Sequence, residues 1–109
     1  MTRPLRYLLV AALLGAAAAS GAADMKAGEA KAKEVCQACH GLDGNSSTPD
    51  YPKLGGQQSD YLGKALRDYK SGARKNAIMA GFAGTLSPQD IANLAAYYAA
   101  QPPVLVVKH

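Results

Sequence analysis

The stretch Cys36-Gln37-Ala38-Cys39-His40 holds both cysteines of the 109-residue chain, and a histidine directly follows the second one. Two cysteines three positions apart at the end of a helix present both sulfurs to one side, where the imidazole of His40 can reach the same object. This spacing is the attachment signature of c-type haem: the sulfurs add to the two vinyl groups of the porphyrin, and the histidine ligates the iron. We therefore predict one haem c bound covalently through Cys36 and Cys39, with His40 as an iron ligand.

Three other roles compete for this motif. A redox-active disulfide also uses Cys-X-X-Cys in exported proteins, but it normally follows a strand and makes no use of the histidine. A zinc site needs four ligands, and His40 and His109 are the only histidines beside the two cysteines. A plain structural disulfide is the third alternative. It would leave the core without a filling group.

The composition is poor in bulky aromatic side chains, which favours a large apolar group that completes the core. The chain has one phenylalanine and no tryptophan, and domains of this size commonly rely on a disulfide, a metal or another staple to close their core. Twelve basic and eight acidic residues give a formal charge of +4, which falls to +2 if Arg3 and Arg6 are removed with a leader. With no stripe of basic and aromatic residues either, we expect no nucleic-acid partner.

The N-terminal segment has the order of a secretory signal peptide. Arg3 and Arg6 precede an uncharged run that ends in small residues at Ala23, and this run is shorter than the roughly 20 residues of a membrane-spanning helix. An uncleaved membrane anchor is the alternative. We predict a signal peptide over 1–23, a domain over 24–109, a periplasmic location and no stable membrane insertion after cleavage.

Helical periodicity dominates the remainder. Asp24 is expected to cap a first helix that runs to about Gln37, and Ser59 a second one. Ser87, followed by a proline and then by Asp90, is expected to start a third helix with a near capping box. The segments 40–58 and 72–86 are rich in glycine, proline and polar residues and are predicted as loops, of the kind that often carry function. Without an alternating strand pattern in the body of the domain, the fold class is all-α.

The second axial ligand of the iron follows by elimination. Haem proteins use His, Met, Cys or Tyr at these positions, and Met25, Met79, His109 and the tyrosines remain after the signal peptide and the cysteines are set aside. Met25 begins the first helix, and His109 is a chain end, where disorder concentrates. Met79 lies in a glycine-bearing segment that can close over the face opposite His40. We predict Met79 as the ligand, with a gap-filling core methionine as the alternative.

Residues 24–101 resemble a class I c-type cytochrome, specifically the small bacterial periplasmic monohaem group that is similar to one half of the dihaem cytochromes. Besides the attachment motif, the resemblance rests on Tyr51-Pro-Lys-Leu-Gly-Gly-Gln57, Arg74-Lys-Asn-Ala-Ile-Met79, Leu86-Ser-Pro-Gln-Asp-Ile91 and Leu94-Ala-Ala-Tyr-Tyr98. It implies the cytochrome c fold, in which three main helices and long loops wrap around one covalently attached haem. The tail 102–109 departs from the family pattern, and we expect it either to contact a partner or to be disordered.

The resemblance also implies roles for single residues. The carbonyl of Pro52 would accept the Nδ1 proton of His40, and Leu54 would pack on the haem. Gln57 and Tyr61 would bond near the haem propionates, with Ser59 or Arg67 as equal alternatives. The first and last helices would cross with Gly28 and Ala32 against Leu94 and Tyr97 or Tyr98.

An iron with two protein ligands, His40 and Met79, has no open position for oxygen or substrate. We therefore expect an electron carrier of the respiratory chain, not an enzyme, working between partners such as a quinol-oxidising complex and a terminal oxidase. The alternative is the electron-accepting cytochrome subunit of a periplasmic dehydrogenase complex. A third hypothesis is a haem protein with an open site for gas or peroxide. The surface lysines and arginines either steer an acidic partner or are ordinary solvated charges.

Overall fold

A computed structural model of the protein describes residues 22–104. These residues form five helices: α1 (Met25–Val35), α2 (Gln37–His40), α3 (Ser59–Ser71), α4 (Ala77–Ala83) and α5 (Pro88–Ala99). The same residues contain no strand, which confirms the all-α class. Nearly all of the predicted signal peptide, together with residues 105–109, lies outside the described residues. Among the described helices, none has the length and apolar character that a membrane crossing requires.

The first helix begins as predicted and ends earlier. Asp24 caps α1, because its side chain accepts hydrogen bonds from the backbone N–H groups of Lys26 and Ala27. The helix predicted to run to about Gln37 is instead interrupted at Cys36, whose φ of −111° lies well outside the helical range. The chain then resumes as the single turn of α2. The attachment motif therefore spans a break between two helices rather than the end of one.

The second predicted helix, α3, begins one residue earlier than the capping pattern predicted. Gln58 occupies the cap position without a side-chain hydrogen bond, and Ser59 is already helical. The helix ends at Gly72, whose φ of +86° is the left-handed conformation that glycine adopts without strain. Leu62 is buried on the face of α3 that packs on α5.

The prediction of a loop over 72–86 is wrong in its centre, where α4 lies. Asn76 caps this short helix by accepting from the backbone N–H groups of Ile78 and Met79. Alanine and methionine after a capping asparagine favour a helix, and the glycines of this segment hid that signal. Met79 therefore projects from a helix that packs on α3, not from an irregular loop.

The last helix starts and packs as expected. Ser87 and Asp90 form the full capping box at the start of α5. α1 crosses α5 at Gly28, where an added Cβ would lie 2.3 Å from the carbonyl oxygen of Asn93 and 2.9 Å from Cβ of Tyr97. This confirms the predicted crossing and adds Asn93, whose side-chain oxygen also accepts from the backbone N–H of Asp24 at 2.8 Å. The core is small and is formed by Ala32, Leu62, Leu86, Ile91, Leu94, Ala95, Tyr97 and Tyr98.

Candidate haem site

The predicted site residues lie around a single cavity of about 290 Å³. The set named from the sequence was Cys36, Cys39, His40, Pro52, Leu54, Gln57, Tyr61 and Met79, and each of these lines the cavity. The motif residues come from the α1–α2 break and from α2, the next three from the loop between α2 and α3, and the last two from α3 and α4. Four separate segments thus converge on one space, although their roles toward a haem stay predictions.

The two cysteines are not joined to each other by a disulfide, and each is half-buried. Burial raises the pKa of the Cys36 thiol to about 11, even though hydrogen bonding with Tyr98 acts in the opposite direction. Catalytic disulfide pairs depend instead on a thiol of lowered pKa, and a helix rather than a strand precedes this motif. Both observations argue against a redox-active disulfide.

The zinc alternative finds no support within residues 22–104. In that range no group of three or more His, Cys, Asp or Glu side chains is placed to hold a metal ion. Four ligands are the rule for a structural zinc site, and His109 lies outside the described residues. The motif therefore lacks the partners that tetrahedral zinc binding requires here.

His40 is buried, with 7% of its surface exposed, and one ring nitrogen is already engaged. Its Nδ1 lies 2.9 Å from the carbonyl oxygen of Pro52. A carbonyl can only accept, so Nδ1 is the donor, and in the neutral imidazole this leaves the lone pair on Nε2. The bond predicted between Pro52 and His40 is present, and it leaves Nε2 as the atom able to ligate iron.

Met79 lines the same cavity from α4 and is half-buried. Its backbone N–H donates to Oδ1 of Asn76 at 3.0 Å, so the capped first turn of α4 fixes where the side chain begins. Met79 is not part of the buried core, which disfavours a gap-filling role. Met25, the other methionine considered as a ligand, is 43% exposed at the start of α1 and does not line the cavity.

The polar side of the cavity includes two cations, Lys53 and Arg74, which the sequence did not single out as residues of the haem site. Nη1 of Arg74 donates to the hydroxyl of Tyr61 at 3.3 Å, and its guanidinium carbon lies 4.8 Å from the ring centroid of Tyr69. The hydrogen bond to Tyr61 raises the pKa of Arg74 above its ordinary value. Ser59 and Arg67, named as alternatives, do not line this cavity. The position of Arg74 in the segment that resembles the cytochromes was the available signal.

The chemistry of this lining suits a haem. Apolar side chains form most of the remaining wall: Val35, Leu62, Ala65, Leu66, Ile78, Phe82 and Leu94. Beside them lie the two cysteine sulfurs of the attachment motif, the imidazole of His40 and the thioether of Met79. The guanidinium of Arg74 lies there too, beside two tyrosine rings. An apolar macrocycle that carries two carboxylates and an iron needs this combination of groups.

Comparison with known proteins points the same way. The family model described as cytochrome c matches residues 25–100. The chain is 51% identical over 94 residues to cytochrome c4 of Pseudomonas aeruginosa, an alignment that covers 86% of this chain and 45% of that protein. It is 39% identical over 101 residues to a thiosulfate dehydrogenase electron acceptor of Thiomonas intermedia, covering 92% of this chain and 46% of the relative. The chain thus spans about half the length of these two relatives.

A solved structure shares the fold. Reduced recombinant cytochrome c4 from Pseudomonas stutzeri superposes with a TM-score of 0.69 at 44% sequence identity. The match covers 74% of this chain and 47% of that one. The cytochrome c fold that the resemblance implied is thereby confirmed.

Proposed function

The chain belongs to the cytochrome c family, and from that premise we propose that it is a periplasmic single-haem electron carrier of a respiratory chain, not an enzyme. A member of this family with cysteines in the Cys-X-X-Cys-His arrangement carries one covalently attached haem c with its iron. Members of the family act with redox partners. The observation that carries the proposal is the convergence of the free ring nitrogen of His40 and the sulfur-bearing Met79 on one apolar cavity.

Five residues of this chain would hold the haem. Cys36 and Cys39 would bind it through thioether bonds, so that it cannot dissociate. His40 and Met79 would ligate the iron, and Leu54 would pack on the ring. When bound, a haem of this type supplies a reversible one-electron couple at its iron.

The protein groups around the haem would influence its iron ligation and its reduction potential. The Pro52 carbonyl fixes the ring of His40 and makes its Nε2 a better donor, because it draws on the proton at Nδ1. The apolar wall would shield much of the haem from water, and a methionine ligand favours a higher reduction potential than a second histidine would. Gln57, Tyr61 and Arg74 offer polar atoms for the two haem carboxylates.

The absence of an open ligand position separates a carrier from a gas-binding or catalytic haem protein. We expect the reduced wild-type protein at neutral pH to show a six-coordinate spectrum that carbon monoxide leaves unchanged. Met79→Ala removes the thioether, so the reduced variant should bind carbon monoxide. Met25→Ala, at the exposed start of α1, is the matched control and should behave as the wild type. Carbon monoxide binding by the wild-type protein would instead support the open-site hypothesis.

A second candidate is the electron-accepting subunit of a periplasmic dehydrogenase complex. The observation in its favour is the similarity to a thiosulfate dehydrogenase electron acceptor. Gel filtration of the protein from its native host distinguishes the two functions. A free carrier elutes at its own mass, whereas a subunit elutes together with its dehydrogenase.

The periplasmic location rests on the signal-peptide pattern of residues 1–23. Covalent haem attachment to an exported chain fits that pattern. Fractionation of the native host followed by mass spectrometry of the protein tests it: we expect the protein in the periplasmic fraction, with the mass of the chain without its leader plus one haem. A mass that includes Arg3 and Arg6 would indicate an uncleaved anchor.

A further inference from the structure

The chain that follows α5 turns back onto the loop between α2 and α3. The amide nitrogen Nδ2 of Asn45 donates to the carbonyl of Pro102 at 3.0 Å, and its Oδ1 accepts from the backbone N–H of Val104, also at 3.0 Å. One side chain thus pairs with the tail backbone in both directions. We refer to residues 102–104 as the strap.

The strap also contacts the far end of the same loop. Nζ of Lys53 donates to the carbonyl of Val104 at 3.0 Å. The ring of Pro103 lies so close to Gly56 that a Cβ there would be 2.8 Å from two of its carbons. Gly56, with a φ of +76°, provides the flat surface on which this proline ring rests. The strap therefore touches the loop on both sides of Pro52.

Hydrogen bonds between the two arms of the loop join the residues that contact the strap to the residues beside Pro52. The carbonyl of Gly44 accepts from the backbone N–H groups of Leu54 at 2.7 Å and of Gly55 at 3.1 Å. The hydroxyl of Ser46 donates to the carbonyl of Tyr51 at 2.6 Å, one residue before Pro52. Asn45 and Lys53, the two residues that bond to the strap, thus lie next to the two closing contacts of the loop that presents Pro52.

We propose that the strap positions the Pro52 carbonyl, and that it thereby sets the strength of the bond to Nδ1 of His40 and the reduction potential of the protein. This inference rests on the proposed function, because it requires His40 to ligate an iron. A well-placed acceptor at Nδ1 increases electron donation by the imidazole and favours the oxidised iron. A looser strap should therefore shift the potential upward. Asn45 is in this account a positioning residue that acts through Pro52.

The test uses the full-length holoprotein and two variants that release the strap. Asn45→Ala removes both of its hydrogen bonds to the strap, together with a longer one of 3.3 Å to the carbonyl of Asp43 inside the loop, and a chain that stops after Gln101 removes the strap itself. We expect each to raise the midpoint potential in a redox titration. We also expect the Nδ1 proton of His40 to exchange with solvent about tenfold faster by NMR, the ratio that the loss of one or two ordinary hydrogen bonds produces.

Two controls separate positioning from stability. Ser87→Ala removes the cap of α5 far from the loop, so it should lower the melting temperature while the potential and the proton exchange stay unchanged. Ser47→Ala, at an exposed position of the same loop, should change none of the three. If the strap variants lose stability but keep the wild-type potential or the wild-type exchange rate, the strap is only structural and the inference is overturned.

The remaining outcomes are also decisive. If the shortened chain does not fold, Asn45→Ala alone decides the question by the same two measurements. A wild-type protein that binds carbon monoxide or holds no haem would contradict the proposed function itself. That result is read from the wild type and does not depend on either strap variant.

Discussion

At the scale of single residues, Arg74 shows how a charge is held beside the cavity. Its guanidinium is bonded to the hydroxyl of Tyr61 and stacked on the ring of Tyr69. Both contacts restrict a side chain that is otherwise among the most flexible, so the charge stays at one place. A fixed positive charge near the haem would oppose the additional positive charge of the oxidised iron.

We therefore expect Arg74→Gln to lower the midpoint potential, on the order of tens of millivolts. The shift should shrink at high ionic strength, because salt screens a charge at this exposed position. Redox titration at two salt concentrations measures it. Arg67→Gln is the matched control, since Arg67 does not line the cavity. An equal shift in both variants would show that only the net charge matters.

A residue of the site could be predicted where its side-chain type or its motif points to haem binding by itself. Cys36, Cys39 and His40 are given by one motif, and Met79 follows because few other side chains can ligate iron. Arg74 was missed because a single arginine looks the same on a solvated helix as beside a cavity. Its stacking on Tyr69 and its bond to Tyr61 arise only when α3 and the segment before α4 come together.

At the scale of elements, the crossing of α1 and α5 depends on the missing side chain of Gly28. An added Cβ would lie 2.3 Å from the Asn93 carbonyl oxygen, which no rotamer change can relieve because the obstacle is backbone. The two helices must then separate, and overpacking of this kind costs about 1–3 kcal/mol. We expect Gly28→Ala to lower the melting temperature by several degrees, as for other domains of this size.

Gly81 offers the matched control for that prediction. It lies inside α4, and an added Cβ there meets nothing within 4 Å. Alanine has the higher helix propensity, so Gly81→Ala should leave stability unchanged or raise it by up to about 1 kcal/mol. Thermal unfolding of both variants by circular dichroism checks the pair. Equal losses would mean that the crossing does not depend on close approach.

The capping box of α5 makes stability depend on pH. The backbone N–H of Ser87 is the main cause that lowers the pKa of the Asp90 carboxyl below its ordinary value of 3.8, and Lys31 adds to the effect. A carboxyl with a lowered folded-state pKa stabilises the protein above its unfolded-state pKa. That contribution is lost as the pH falls below about 4 and through the folded-state pKa.

We expect the free energy of unfolding of the wild type to decrease over this acid range by more than that of Asp90→Asn, which has no such carboxyl. The difference should be small, because the Asp90 side chain is partly exposed. Urea unfolding of both proteins between about pH 5 and pH 2 measures it. Parallel curves for the two proteins would contradict a role of Asp90 in acid sensitivity.

The sequence predicted the starts of helices that have a strong capping residue, but it did not predict the break in the helix at Cys36. Asp24 and Ser87 mark α1 and α5 because a capping side chain acts on its own neighbours. The break at Cys36 and the turn of α2 have no comparable local signal. They accompany the burial of His40 and its bond to Pro52, twelve residues away along the chain, and neither contact is marked by a local sequence pattern. α4 was obscured by its glycines, although Asn76 marks its start.

At the scale of the whole molecule, the arrangement of charge bears on how partners approach. Several cations are paired with acidic side chains of the described residues: Lys31 with Glu34 and Asp90, Lys33 with Glu29, and Lys64 with Asp68. Their fields are largely cancelled at a distance. Lys53 and Arg74 line the cavity together with Asp50, and Lys75 follows Arg74 directly in the chain. The cations on this side therefore outnumber the acidic side chain that lines it, although the two haem carboxylates would offset part of their charge. Electrostatic attraction of an anionic partner should therefore act mainly at the cavity side and less over the rest of the surface.

Electron transfer from the reduced protein to hexacyanoferrate(III), an anionic oxidant, should therefore slow as salt is added, because salt screens the attraction that brings the two together. Stopped-flow measurement over a range of ionic strengths gives the slope, and we expect a total decrease of about tenfold or less, since the compensated lysines add little. Lys75→Ala should flatten this slope, whereas Lys64→Ala, which removes a charge already paired with Asp68, should change it less. A rate that is indifferent to salt would mean that the cavity-side cations are ordinary solvated charges, and that partners are selected by shape and apolar contact alone.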